Sequence, residues 1–309
     1  MKRWTRREWM AGAAANCALH GCRREAQRRE RLVSVLRCAD YGQQLYGMVR
    51  SMLAEHRLQV RGKRVLLKPN LVEFDPERPI HTHPLLVHAT LEAFRAAGAD
   101  VRIGEGPGHR RNTLDLADAA GYFALIPNFE NLFLDLNVAD VREVRLPHPR
   151  SRMDAIYLAR PATDCDLLVS MPKMKTHHWA GATLSMKNLF GTVSGGVYGW
   201  PKNVLHWAGI PECIADLYHV LLRHFAIVDG IVGMEGNGPI QGTAKRAGVI
   251  AAGADLAAVD ATCCRIMGID PQSVKYIELA AGEIGELERS VRQIGEVVPS
   301  LSFAPAIRA

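Results

Sequence analysis

The densest group of chemically reactive side chains lies in residues 171–191, which read MPKMKTHHWAGATLSMKNLFG. In an extended conformation, Lys173, Lys175 and His177 alternate onto one face of the chain. Three cationic or ionisable groups on one face, close to Lys187, predict a pocket for a carboxylate, a phosphate or an anionic cofactor. A lysine that is desolvated among other cations has a lowered pKa, so one of these lysines can serve as a base or form a Schiff base.

The alternative for this segment is a solvated edge strand whose lysines point into water. Three features favour the pocket instead. The basic residues follow an apolar strand, they are interleaved with Met, Trp and Gly, and Lys187 and His206 add to them.

Two groups of histidines stand close together in the sequence: His81, His83 and His88, and then His177 and His178. Histidine clusters are candidate metal ligands or acid–base groups. Since no spacing matches a motif such as H-E-x-x-H, a single histidine here is more often structural. We retain His83 and His177 as candidates for moving a proton. With Glu105 and Asp229 they form a hypothetical set for a hard or borderline metal, whose identity the sequence leaves open.

Short aliphatic runs alternate with amphipathic stretches from about residue 60 onward, which predicts an α/β fold with a mostly parallel sheet flanked by helices. Polar motifs follow four predicted strands, at 64–68, 100–104, 166–171 and 225–229. These motifs are KPN, GEGPGH, PKMKTH, and DG running into MEGNGP. Ligands of open α/β sheets bind outside the carboxyl ends of the strands. If the four strands belong to one parallel sheet, their loops form one ligand-binding rim.

The candidate site residues come from these loops and from the segments that follow them. The catalytic candidates are Lys173, Lys175, His177 and His83. The candidates for binding an anionic small molecule or cofactor are Lys68, Asn70, Glu105, Lys187, Asn188, His206, Glu235 and Asn237. Neither a complete dinucleotide fingerprint nor a G-x-x-x-x-G-K-[ST] loop is present, so the glycines do not predict a nucleotide site.

Helix signals locate the neighbouring elements. The apolar spacing after Pro84 predicts a helix with Thr82 as its N-cap and Gly98 as its stop. Two closing helices are expected at 255–267 and 271–281. Asp260 lies inside the first of these among small apolar residues, and we interpret it as a buried carboxylate that caps or hydrogen-bonds a neighbouring loop.

Composition narrows the function classes. The chain of 309 residues has a net charge of +6, but residues 1–37 alone carry +7, so the remainder is nearly neutral and argues against nucleic-acid binding. Its apolar stretches fall short of the roughly 18 residues of a membrane-spanning helix. The seven cysteines are scattered without C-x-x-C spacing, which argues against a disulfide framework, a zinc site and an iron–sulfur cluster within this chain.

The first 37 residues form a basic segment ahead of a single α/β domain at 38–309, which can comprise two lobes. Arg6 and Arg7 precede a short run of small residues, an arrangement typical of a twin-arginine export signal. That interpretation predicts a periplasmic or cell-envelope location, with Cys22 as a candidate for lipidation. An uncleaved basic tail on a cytoplasmic protein is the alternative.

Eight blocks together carry a family pattern: KPN at 68–70, THP at 82–84, GEG at 104–106, PKMKTH at 172–177, KNLFG at 187–191, DGI at 229–231, MEGNGP at 234–239 and VDA at 259–261. In order and spacing they resemble the family known as domain of unknown function 362, over about residues 60–285. Many members of that family are iron–sulfur proteins with a ferredoxin-type domain, and some have twin-arginine signals. This sequence lacks the four spaced cysteines of those members.

The family is distantly similar to nickel-dependent lactate racemase, in its α/β architecture and in the Lys and His groups at a shared cleft. That resemblance implies that Lys173, Lys175 and Lys187 hold an anionic cofactor or a 2-hydroxy or 2-keto acid, while His83 or His177 moves a proton. Two hypotheses follow. The chain is an enzyme of proton-transfer or redox chemistry, with or without a metal, or it is a non-catalytic cofactor-binding or maturation protein of the cell envelope. The sequence identifies no protein partner.

Overall fold

The computed structural model describes residues 31–109, 112–282, 284–297 and 300–307. The strands are β1 (Arg31–Arg37), β2 (Arg64–Pro69), β3 (Asp100–Glu105), β4 (Phe133–Asp135), β5 (Val141–Arg145), β6 (Ala155–Ala159), β7 (Leu167–Met171), β8 (Lys173–His177), β9 (Gly181–Thr183), β10 (His224–Glu235), β11 (Thr243–Lys245), β12 (Val249–Gly253) and β13 (Val291–Gly295).

The helices are α1 (Gln44–Glu55), α2 (Pro84–Ala96), α3 (Thr113–Ala119), α4 (Tyr122–Leu125), α5 (Phe129–Leu132), α6 (Arg160–Asp164), α7 (Ser185–Asn188), α8 (Gly195–Tyr198), α9 (Asn203–Trp207), α10 (Ile210–Val220), α11 (Leu256–Met267), α12 (Lys275–Ala281) and α13 (Ile284–Ser290), with 3₁₀ turns at Leu189–Thr192 and Pro271–Ser273. None of the helices in the described part of the chain is long and apolar enough to cross a membrane.

One mixed sheet organises the fold, in the order β13-β1-β12-β10-β7-β2-β3-β4. The strands β10, β7, β2, β3 and β4 run parallel to one another, whereas β12 is antiparallel to both β1 and β10. The predicted α/β class with a mostly parallel sheet is therefore confirmed. The four strands whose loops carry the polar motifs are consecutive and parallel, so their carboxyl ends meet at one edge.

Alternating side chains of the central strands enter two apolar cores, one on each face of the sheet. Val65 and Leu67 of β2 pack with the buried residues of α1 and α2, while Leu66 between them packs with those of α10 and α11. Since side chains of a strand point alternately to opposite faces, a buried run such as 65–69 indicates a strand covered by helices on both sides. The fold therefore has three layers, with helices on both faces of the sheet.

The strand β8 carries the PKMKTH motif beyond the sheet proper. It starts after Pro172, directly past the end of β7, and pairs in parallel with the second half of the long strand β10. Its other neighbour is β9, which is antiparallel. The extended conformation predicted for Lys173–His177 is confirmed, and the strand projects the motif over the carboxyl edge of the sheet.

Three boundaries differ from the predictions. Residues 31–37, assigned to the basic segment, form β1 between β12 and β13, because Val33 and Val35 are buried although Arg31 and Arg37 dominate the charge. The N-cap of α2 is His83 rather than Thr82, since the His83 ring accepts the N–H of Leu85. The helix expected at 271–281 is divided into a 3₁₀ turn and α12. The twin-arginine pair and Cys22 lie outside the described residues.

Candidate functional site

A cavity of about 590 Å³ lies at the carboxyl edge of the sheet. All four predicted motifs supply wall residues. They are Lys68 and Asn70 at the end of β2, residues 105–109 at the end of β3, His177 at the end of β8, and Asn237 after β10. The 3₁₀ turn after α7, the α9 region and the C-terminal Ile307 complete the wall. Convergence of these loops follows from the parallel order of their strands.

A buried ion pair forms one end of the cavity. The Lys68 ammonium donates to Glu105 Oε2 at 2.5 Å, to Asn188 Oδ1 at 3.0 Å and to the carbonyl of Pro69 at 2.9 Å. Glu105 also accepts the backbone N–H groups of Leu71 and Gly106. Each group of the pair thus has three partners, which is the condition under which a buried pair is tolerated.

The last glycine of the KNLFG motif is required by this ion pair. A Cβ atom at Gly191 would fall on Glu105 Oε1 and lie 2.5 Å from Lys68 Nζ. At Gly106, a Cβ would lie 2.7 Å from the carbonyl oxygen of Gly191 and 2.8 Å from Asn137 Oδ1. Two glycines therefore let the backbone approach the charges closely enough to enclose them.

The short helix α7 holds Lys187 and Asn188 at the cavity. Its N-terminus is fixed by Asp260 of α11, which accepts the N–H of Ser185 at 2.8 Å, the Ser185 hydroxyl at 2.5 Å and the N–H of Met186 at 3.0 Å. Burial raises the pKa of Asp260 to about 7, although these donors oppose the rise. The interpretation of Asp260 as a carboxylate that binds a neighbouring loop is confirmed.

Two lysines at the cavity have no carboxylate partner within 4.0 Å among the described residues: Lys187 and Lys202. Desolvation lowers the pKa of Lys187 to about 7, with the Lys68 charge adding to the effect. Desolvation also lowers the pKa of Lys202 to about 7, and both Lys68 and Lys187 contribute. The Lys202 ammonium donates to the carbonyls of Gly106 and Val193, at 2.7 Å and 2.6 Å. Near pH 7, each lysine is therefore present in both its protonated and its neutral form.

Adjacent histidines on the cavity wall have opposite hydrogen-bond roles. The Nδ1 atom of His177 accepts the N–H groups of Trp179 and Ala180, at 3.1 Å and 3.2 Å, so its proton resides on Nε2. The Nδ1 atom of His178 lies 2.9 Å from the carbonyl oxygen of Gly238, so it carries the proton and Nε2 is the free acceptor. Burial, followed by the charge of Lys187, lowers the pKa of His177 well below its ordinary value. The wall therefore offers one N–H donor and one basic nitrogen.

Aromatic rings and unpartnered polar atoms complete the wall. Trp179 makes an edge contact with His206, at 5.3 Å between ring centroids. Asn70 Oδ1, Thr183 Oγ1 and His206 Nδ1 are buried, line the cavity, and lack hydrogen-bond partners among the described residues. Since buried polar atoms are normally satisfied, these three mark positions where a ligand or water would bind.

Lys173 and His83 belong to a separate buried cluster on the α1–α2 side. The Lys173 ammonium donates to Asp229 Oδ2 at 2.6 Å and to the Tyr41 hydroxyl at 3.0 Å. Tyr41 donates to Asp229 Oδ1 at 2.8 Å and stacks on His83 with ring centroids 3.8 Å apart. Burial lowers the pKa of His83 to about 4, so the ring is neutral at pH 7. These groups satisfy one another away from the cavity.

Lys175 and Glu235 also have structural partners, and neither side chain lines the cavity. The buried Lys175 ammonium donates to the carbonyls of Ile80 and Pro239. Desolvation, and next the charge of Lys173, lowers its pKa well below the ordinary range. Glu235 accepts the N–H of Ala304 and pairs with Lys245 at 3.2 Å.

Eight of the twelve candidate residues therefore line the cavity: Lys68, Asn70, Glu105, His177, Lys187, Asn188, His206 and Asn237. Lys173, Lys175, His83 and Glu235 do not. Sequence reasoning missed Lys202, Trp179 and Thr183 and passed over His178. The adjacency of His178 to His177 was a usable signal, whereas Lys202 follows a Gly-Trp-Pro turn and belongs to no motif.

The hypothetical metal set is not assembled. His83 lies with Asp229, Glu105 is paired with Lys68, and His177 lies in the cavity wall. Across the described ranges, no group of three or more His, Cys, Asp or Glu side chains is placed to hold a metal ion. The side chains of this site do not by themselves form a metal-binding site. Its reactive groups are lysines and histidines.

Comparison with known proteins agrees with this architecture. A family model described as Domain of unknown function (DUF362) matches residues 65–265. The chain belongs to this family. Thylakoid-associated protein sll1697 of Synechocystis sp. is 30% identical over 219 residues, which are 69% of this chain and 65% of that protein. The resemblance predicted from the PKMKTH and KNLFG motifs is thereby confirmed.

The structure of the lactate racemase apoprotein from Thermoanaerobacterium thermosaccharolyticum is similar to this DUF362 chain, with a TM-score of 0.50 and 16% sequence identity. The match covers 78% of this chain and 58% of that one. At this identity the similarity is one of fold. The chain spans less than two thirds of the length of either matched protein.

Proposed function

We propose that this DUF362 chain is an enzyme that binds a small organic carboxylate in the cavity and transfers a proton to or from it. The observation that carries the proposal is the presence of two cavity lysines, Lys187 and Lys202, that have no carboxylate partner among the described residues. A carboxylate that enters between them supplies the missing counter-charge. Because the site is partly desolvated, that pairing is stronger than it would be in water.

The histidine pair supports proton transfer rather than binding alone. His177 offers an N–H that can donate to a carbonyl or hydroxyl oxygen of the ligand, and His178 offers a basic nitrogen that can accept a proton. General acid and base groups with separate environments are the usual means of moving a proton between carbon and oxygen. Trp179 and Phe190 provide apolar surface for the rest of the molecule.

The test is carboxylate binding by isothermal titration calorimetry, with lactate as the ligand and lactamide as its neutral analogue. We expect lactate, but not lactamide, to bind the wild type. Lys187→Met should weaken that binding at least tenfold, because one desolvated ion pair is lost. The exposed Lys275→Met is the matched control, since Lys275 is paired with Glu278 at the surface. Equal affinity in all three proteins would refute the proposal.

A second candidate, a cofactor-binding or maturation protein without turnover, is supported by the size of the cavity. A volume of about 590 Å³ is within the range of pockets for drug-sized ligands and leaves room beyond a small acid. Solvent-deuterium incorporation at C2 of lactate, followed by NMR, separates the two. Exchange that is lost in His178→Gln supports the enzyme. Stoichiometric retention of a larger ligand without exchange supports the second candidate.

For location, we propose that the protein is exported to the cell envelope by its twin-arginine segment. The segment itself and the name of the thylakoid-associated relative support this proposal. Fractionation of cells expressing the full chain and the Arg6→Lys/Arg7→Lys variant tests it. Export should be lost in the variant, and an identical distribution of both proteins would contradict the proposal.

A further inference from the structure

We propose that Lys187 captures the carbonyl carbon of a 2-oxo acid as a covalent imine. The inference rests on the proposed function, because the same cavity must first bind the carboxylate of the acid. It goes further in naming a nucleophile and a substrate class.

The geometry distinguishes the half-buried Lys187 from the four buried lysines of the described chain. Lys68 has three hydrogen-bond acceptors, and Lys173, Lys175 and Lys202 each have two. Lys187 has no hydrogen bond or ion pair to the described residues. Its ammonium lies 4.0 Å from the centroid of the Phe190 ring. An amine that bonds to carbon must lose its protons, and the Lys187 nitrogen is the one that can do so without breaking a bond to the protein.

The position of Lys187 is fixed although its nitrogen is free. Asp260 anchors the first turn of α7 with three hydrogen bonds, and Asn188, the next residue, is bonded to the carbonyl of Lys68 at 3.0 Å. The Lys187 side chain therefore leaves a rigid backbone and enters the cavity. Such preorganisation reduces the entropic cost of bringing nucleophile and carbonyl together.

The electrostatic surroundings keep the amine reactive. With a pKa of about 7, roughly half of Lys187 is neutral at pH 7, whereas an ordinary lysine is neutral in only about one molecule in 3,000. Desolvation and the neighbouring Lys68 charge both favour the neutral amine. A lysine in an apolar pocket beside another cation is a recognised form of activated nucleophile.

The other wall groups match a 2-oxo acid. Lys202 retains one N–H beyond its two carbonyl partners and can bind the carboxylate. His177 can donate its Nε2–H to the carbonyl oxygen, which polarises the carbon. The amine nitrogen forms a bond to C2, and the carbonyl oxygen leaves as water with the two protons that the amine gives up. No oxidant or reductant is needed.

The experiment is reductive trapping of the full-length protein with pyruvate and sodium cyanoborohydride, followed by intact-mass measurement and peptide mapping. We expect one reduced pyruvyl adduct per chain, on Lys187. Its initial rate of formation should exceed that on any exposed lysine by about three orders of magnitude, from the difference in the fraction of neutral amine. Lys187→Arg should abolish the adduct, and Lys275→Arg should retain it.

A separate measurement keeps the two proposals apart. Lactate has no carbonyl at C2, so its calorimetric binding to the wild type tests the carboxylate site alone. If lactate binds and pyruvate is not trapped, or is trapped on Lys202 or on surface lysines, the imine inference is wrong and the proposed function stands. If lactate does not bind, the proposed function fails first. Peptide mapping of the wild type decides the question even if Lys187→Arg does not fold.

Discussion

Carboxylate affinity should fall steeply as the pH is raised from 6 to 8. Lys187 and Lys202 both have a pKa of about 7 because burial disfavours their charge. Their lowered values mean that the cations are present below pH 7 and are lost above it. Each is about nine-tenths protonated at pH 6 and about one-tenth protonated at pH 8, so each reduces the affinity about tenfold over this interval. Together they predict a decrease of about 100-fold, or ~2.7 kcal/mol.

Two of the histidines on the wall stay outside this window. Burial lowers the pKa of His206 to about 4 and that of His177 well below its ordinary value, so both rings stay neutral. The Lys68 ammonium is paired with the Glu105 carboxylate. Asp260 does titrate near pH 7, but it lies behind α7 and bonds to backbone N–H groups rather than lining the cavity.

The assay is calorimetric titration with lactate at pH 6, 7 and 8, in two buffers of different ionisation enthalpy. We expect about two protons to be taken up on binding at pH 8 and almost none at pH 6. Lys187→Met and Lys202→Met should each reduce the pH dependence to about tenfold, and the double variant should abolish it. A pH dependence that persists in the double variant would show that groups other than these two lysines cause it. A flat profile in the wild type would refute the argument.

Three further predictions concern the frame of the site. Asp260→Ala should lower the free energy of unfolding by ~2–5 kcal/mol in urea titrations, because two buried N–H groups lose their acceptor. Asp255→Ala should cost less, because it removes a helix cap worth about 1 kcal/mol and a partly exposed ion pair with Arg31. Equal losses in the two variants would contradict the anchoring role of Asp260. Gly191→Ala should destabilise the protein and weaken lactate binding, since its Cβ would fall on a buried carboxylate. Gly47→Ala, in open space within α1, should instead stabilise the protein by roughly 0.5–1 kcal/mol. A gain in stability from both variants would exclude the close approach of the Gly191 backbone to the ion pair. Burial lowers the pKa of His81 to about 3, so this ring opposes folding as the pH falls below 6.5. In urea titrations, His81→Gln should therefore lose less stability between pH 7 and pH 4.5 than the wild type does. An equal loss would be evidence against the buried neutral ring.

Much of the frame could be predicted from local patterns. The apolar runs at 64–69 and 167–171 specify strands because a strand covered on both faces needs no polar alternation. Polar motifs directly after such runs must lie at the carboxyl edge if the strands are parallel, and they do. The role of Asp260 was equally accessible, since a carboxylate among small apolar residues of a helix must find donors nearby.

The partners of individual charges could not be predicted in this way. Lys173 and Lys175 share a strand and a spacing of two, yet Lys173 is paired with Asp229 and Lys175 is bonded to two carbonyls. Which partner each finds depends on β10 and on the loop before α2, far away in sequence. Lys202 adopts a left-handed backbone conformation with φ of 64°, and its contacts with Gly106 and Val193 are products of tertiary structure. The strand β1 was also missed, because net charge was summed over 37 residues. In such a sum the charges of Arg31 and Arg37 conceal the buried residues that lie between them.

The lysines of these motifs differ in whether the protein itself supplies a counter-charge or hydrogen-bond acceptors for them. This difference makes the cavity a candidate anion-binding site. The PKMKTH and KNLFG motifs contribute three lysines, but those of the first are fully satisfied by Asp229 and by carbonyl groups. The lysines of the cavity that lack a carboxylate partner among the described residues are thus Lys187 of the second motif and Lys202, because Lys68 is paired with Glu105. A substitution in the first motif should therefore act mainly on stability. A substitution of Lys187 should act mainly on binding, since its ammonium contacts the Phe190 ring but makes no hydrogen bond or ion pair to the described residues.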